Sequence, residues 1–109
     1  MALPKDFFVS PEVGERDVKM PGGTQKLWFR KVSSFDWERF LSAARSQDID
    51  QRAMRTHILI AAALCDPDGE PALTIEKAQK LLPDVAAAIY TEAFLFNHKP
   101  VQEAEEGNG

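Results

Sequence analysis

Apolar and polar positions change their spacing once along this chain, near residue 33. Before that point the period is two. Val18 and Met20 alternate with Asp17 and Lys19, and from Gln25 to Val32 the residues Leu27 and Phe29 fall on one face while Lys26, Trp28 and Arg30 fall on the other. Pro21-Gly22-Gly23-Thr24 lies between these runs and supplies turn chemistry, so the segment 16–32 predicts a β-hairpin. A lone hairpin is marginal in water, so this one needs helices against its apolar face.

From Ser33 onward the spacing is helical. Ser33 or Ser34 can cap the free N–H groups of a helix that carries Phe35, Trp37, Phe40, Leu41 and Ala44 as its apolar stripe, with Asp36 and Glu38 near its positive end. Ser46-Gln47-Asp48 separates it from a second helix, about Ile49 to Leu64. The row Met54/Ile58/Ala61/Cys65 and a nearly all-apolar second half mark that helix as central. Asp66-Pro67-Asp68-Gly69 is a strong stop. Thr74 then caps a short helix over Ile75–Leu82, and Pro83 breaks it and opens a last helix over Asp84–Phe96, with Asn97 as its C-cap. The fold class expected is α+β, an N-terminal hairpin packed on a C-terminal bundle of about four helices. The boundaries expected are an N-terminal extension over 1–15, a single domain over 16–97, and a disordered acidic tail over 98–109.

Composition narrows the function classes. The formal net charge is −4, which argues against non-specific binding to nucleic acid or to anionic membrane. Residues 1–60 hold ten Lys and Arg against eight Asp and Glu, and residues 61–109 hold three against nine, so the acidity sits in the C-terminal half. That half reads first as a solvated surface, and alternatively as a face that steers a basic partner. A single cysteine, Cys65, excludes an internal disulfide and fits a reducing compartment. The apolar run Ile58–Cys65 is too short to cross a bilayer, and no signal peptide is visible. A soluble, intracellular protein is expected.

The inventory for catalysis is thin. His57 and His98 lie in unrelated contexts, no Cys/His cluster has metal-ligand spacing, and no glycine-rich loop follows a strand and opens a helix. His57 reads as a core or boundary histidine, and Cys65 as a small core hydrophobe whose apolar surroundings raise its thiol pKa. Asp66, Asp68 and Gly69 resemble the start of a calcium loop, but the spacing of the remaining ligands fails, which leaves a turn. Arg39, Arg45, Arg52 and Arg55 read as solvated helix faces. No enzyme, no cofactor and no metal are expected.

Apolar surface remains. The last helix is apolar almost all round: Val85, Ile89 and Phe96 form a stripe that can face the core, and Ala86, Tyr90, Ala93 and Phe94 form a second stripe that then points elsewhere. A partner or a second copy can occupy that second face, unless the hairpin or the first helix covers it.

Taken in order, Val32-Ser33-Ser34, Asp36-Trp37-Glu38-Arg39-Phe40, Asp66-Pro67-Asp68-Gly69, Thr74-Ile75-Glu76, Leu82-Pro83 and Phe96-Asn97 resemble the tail assembly chaperones of long-tailed bacteriophages. The resemblance covers about residues 25–97. It departs at Phe96, where members often carry Leu, and it has no counterpart before Arg16. It implies a host-cytoplasmic protein that binds the hydrophobic tape measure protein, keeps it soluble, helps load tail tube subunits, and is absent from the finished virion. It also implies, for many members, a longer product made by ribosomal frameshifting. A client that is a long amphipathic helix would dock through regularly spaced apolar anchors. The competing reading is a small helical phage or prophage adaptor or regulator that binds a host protein.

Overall fold

The computed structural model describes residues 3–9 and 13–98. The acidic tail expected over 98–109 lies outside them apart from His98, as does most of its charge. The hairpin forms as the alternation predicts, and it begins earlier: strand β1 is Val13–Met20 and β2 is Gly23–Arg30. Their antiparallel register pairs Met20 with Gly23, so only Pro21 and Gly22 make the turn. Gly23 has φ +128°, a conformation that L side chains rarely adopt. Phe29 and Val18 point from one face into the core, with Leu27 and Met20 packed beside them.

A third strand, absent from the sequence reading, completes the sheet in the order β1-β2-β3. It is the pair Leu64–Cys65, which follows directly on the second helix and lies antiparallel to β2, Cys65 opposite Trp28 and Leu64 opposite Phe29. The expected helix therefore stops one residue early, because Leu64 gains sheet hydrogen bonds and burial on leaving it. Arg30 fixes this junction. Its Nε donates to the Ala62 carbonyl and its Nη1 to the Gly69 carbonyl, both at 2.9 Å. Asp66 shapes the turn that follows, its Oδ1 accepting from the backbone N–H groups of Asp68 and Glu70. The carboxylate that resembled a calcium ligand thus acts as a turn residue.

Four helices among the described residues stand with this sheet; the last of them packs on β1 and β2, and the other three pack together around the second. Helix α1, Ser34–Arg45, is capped by Ser33, whose Oγ accepts from the Asp36 N–H. Helix α2, Ile49–Ala63, is capped by Asp48 through Asp50 and Gln51. Helix α3 is shorter than the spacing predicts, Ile75–Ala78, with Thr74 as its cap. Helix α4, Pro83–Asn97, starts on the proline, whose missing N–H costs nothing at a first helical position. The core joins Phe29 and Val18 of the sheet to Phe40, Leu59, Ile60, Ala63, Ile89 and Ala93 of the helices. The architecture is α+β, a hairpin-based sheet packed on a helical half.

Candidate functional site

The surface singled out by sequence lies on α4, and the structure divides it. Ala93 is fully buried and Ala86 nearly so, at 0% and 7% exposure, together with Ile89. The stripe Ala86/Tyr90/Ala93/Phe94 therefore does not point away from the core as a unit. The physical reason is side-chain size. Small residues let a helix approach its neighbours closely, and Ala86 and Ala93 belong to the buried cluster that also holds Ala63 and Ile60 of α2. Tyr90 and Phe94, rotated from that line, are half-buried on the flank that faces α1.

On that flank they join an aromatic cluster. Phe40 of α1 forms its floor, with ring centroids 6.1 Å from Tyr90 and 6.2 Å from Phe94. Trp37 packs 5.0 Å from Phe40 and 6.1 Å from Phe94. His98, just past the helix, lies 5.0 Å from Phe94 and stacks nearly parallel to Trp37. Phe40 is buried, while Trp37, Tyr90 and Phe94 keep part of each ring accessible. First helix and last helix thus meet through rings, as one of the two outcomes weighed from the sequence, and the cover is partial.

The opposite flank of α4 is closed by shape. Phe96 lies against Gly14 of β1. A Cβ on Gly14 would overlap Cε1 of Phe96 and stand 2.8 Å from its Cζ, so any larger residue at this strand position has to displace the ring. Two cations hold the ring, the Arg16 guanidinium at 5.0 Å and the Lys31 ammonium at 5.3 Å from its centroid. Lys31 also donates to the Phe96 carbonyl at 2.7 Å, satisfying one of the free carbonyls at the helix end. The departure noted at Phe96 thus matches a gap in β1.

Asn97 is the residue whose role the sequence reading missed. Read as a C-cap, it is the last residue of α4, and its side chain spans to the end of β2. Its Oδ1 accepts from the Val32 N–H at 2.8 Å, and its Nδ2 donates to the carbonyls of Arg30 and Ala93. A carboxamide carries its acceptor and its donors on adjacent atoms, so it can satisfy a backbone N–H and backbone C=O groups side by side. The local signal, an Asn at a helix end, has an ordinary explanation, so nothing near it in sequence pointed sixty-five residues back.

The remaining chemical groups stand apart. His57 is half-buried on α2, and its Nδ1 is buried without a hydrogen-bond partner among the described residues. Cys65 is buried in β3, where burial pushes its thiol pKa up, with Arg30 opposing and Asp66 adding to the rise. Among the described residues no group of three or more His, Cys, Asp or Glu could hold a metal ion. No helix among them is long and apolar enough to cross a membrane.

No family model matches the chain, and no curated protein matches it by sequence. Among solved structures, the tail assembly chaperone of bacteriophage HK97 is similar over 82% of this chain and 85% of that one, with a TM-score of 0.58 at 19% identity. The resemblance read along residues 25–97 is met by a likeness of fold: a sheet built on a hairpin, with helices packed on it, is common to this chain and a phage tail assembly chaperone.

Proposed function

We propose that this chain is a phage tail assembly chaperone, a non-catalytic protein that binds the tape measure protein, keeps it soluble, and helps recruit tail tube subunits. The observation that carries the reading is the likeness of fold to the HK97 chaperone across most of both chains. The protein would act in the cytoplasm of the infected host and be left out of the finished virion, as a late protein with no nucleic-acid or membrane partner. The aromatic flank of α4 supports the reading physically, because half-exposed rings on a rigid helix give contact area at low entropic cost.

In this proposal Tyr90 and Phe94 are the contact residues. Ala86 and Ala93 act from beneath, since their small side chains set the height at which the two rings emerge. Self-association through the same flank would compete with client binding.

Co-expression with the tape measure protein of the same genome is the test. The chaperone reading expects a several-fold gain in soluble tape measure protein and its co-purification with the chain. Phe94→Ala should reduce that capture about tenfold, with the helical signal by circular dichroism retained. Absence of both solubilisation and co-purification with the unmodified chain overturns the reading.

A further inference from the structure

Strand β1 is an edge of the sheet, for in the order β1-β2-β3 it has a neighbour on one side alone. The two-residue turn closes on Met20 and Gly23, so the even-numbered residues of β1 exchange backbone hydrogen bonds with β2. The odd-numbered ones, Glu15, Asp17 and Lys19 among them, turn their N–H and C=O groups outward. Among the described residues one group meets these, the Arg16 Nη1, which donates to the Glu15 carbonyl at 3.0 Å. Glu15, Arg16, Asp17 and Lys19 are all exposed, so α4, which packs on one face of β1, leaves this edge open.

The charges along the edge are unevenly satisfied. Glu15 pairs with Lys26 of β2 at 3.7 Å. Asp17 and Lys19 have no ion-pair partner among the described residues. They stand two positions apart, on the same face and with opposite signs. An antiparallel copy of β1, related by a two-fold axis through Val18, sets Asp17 against Lys19 of the second copy and Lys19 against its Asp17. Each such pair can exchange both backbone hydrogen bonds, because both residues have theirs turned outward. Moving the axis by one residue either way sets Asp17 against Asp17 or Lys19 against Lys19. Charged edges ordinarily keep strands apart. This one repels its own copy in the neighbouring registers and attracts it in the one centred on Val18.

We propose that β1 pairs edge to edge with β1 of a second copy, antiparallel and centred on Val18, in a closed two-fold dimer. The pairing makes no use of the Tyr90/Phe94 flank, and it stands whether or not that flank binds the tape measure protein.

Sedimentation equilibrium on the full chain tests it. At chain concentrations up to about 1 mM a monomer–dimer equilibrium is expected, with Kd on the order of 100 μM for so small a surface. Asp17→Lys sets like charges opposite one another and should raise Kd at least about tenfold. The exchange Asp17→Lys/Lys19→Asp keeps the net charge of the parent and restores both pairs, so Kd should return to within about threefold of the parent value. Asp17→Pro removes only an outward N–H, which an edge strand tolerates, and should abolish the dimer while the melting temperature stays near that of the parent. If Asp17→Pro unfolds the chain, the charge exchange decides. A chain that stays monomeric, a dimer indifferent to Asp17→Lys or to a folded Asp17→Pro, or failure of the exchange to restore pairing overturns the proposal. Growth past two copies assigns association to other surfaces, and overturns it too.

Discussion

The two flanks of α4 are both aromatic, yet they are held by different physics. Toward the hairpin, one ring, Phe96, fills a gap left by a missing side chain at Gly14, and Lys31 and Asn97 tie the helix end to the strip after β2. Toward α1, the contact is made by several rings that pack on one another around Phe40. The first flank is specified by shape and hydrogen bonds, which accept few substitutions. The second depends on apolar area, which tolerates exchange of one ring for another and leaves part of each ring in water. A surface meant to meet varied side chains is better built on the second pattern than on the first.

The largest expected effect tests the second flank. Phe40→Ala removes the buried floor of the cluster and should cost about 3–5 kcal/mol, measured by urea denaturation. Phe40→Leu should recover much of it, since the site needs volume more than a particular shape. If Phe40→Leu is as damaging as Phe40→Ala, the α1 flank is as shape-specific as the other, and the contrast fails.

Next is the hairpin flank, where the prediction inverts. Gly14→Ala adds one methyl group and should cost about 1–3 kcal/mol, because the Phe96 ring is confined by Arg16 and Lys31 and turns aside only with loss. Combining it with Phe96→Leu should return part of that stability, a coupling read from a double-mutant cycle. Additive effects would show that the ring does not limit this position, and the contrast with the other flank fails.

A smaller loss is expected from Asn97→Ala, about 1–2 kcal/mol, since Val32 N–H and Arg30 C=O lose a partner while only part-buried. Asn97→Asp sharpens this measurement. It keeps the acceptor for Val32 but sets a carboxylate oxygen against the carbonyls of Arg30 and Ala93 at the negative end of the helix, so at neutral pH it should be no more stable than Asn97→Ala.

Periodicity and residue chemistry made the hairpin, two of the caps and the order of the helices legible. Val18 and Phe29 face inward as their alternation requires, and Ser33 and Thr74 cap as their positions require. The orientation of α4 was not legible in the same way. A helix apolar on every side has no polar face to mark its outside, so its rotation depends on which residues are small enough for close packing on the sheet and on α2. Ala86 and Ala93 meet that condition, and periodicity cannot see it. Strand β3 was hidden for a related reason. Leu64 and Cys65 continue an apolar run that reads as helix, and they become a strand because β2 offers an open edge there. The aromatic residues of the candidate surface were visible in sequence, but their partners on α1 were assigned only to a separate stripe.

The side chain of Asn97 also has a meaning in time. During synthesis the strip after β2 leaves the ribosome long before residue 97 does, so the Val32 N–H and Arg30 carbonyl wait for a partner until the whole helical half has emerged. The hairpin is therefore sealed last by the element made last. A nascent chain halted within α4 would lack the carboxamide that joins the end of β2 to the end of that helix.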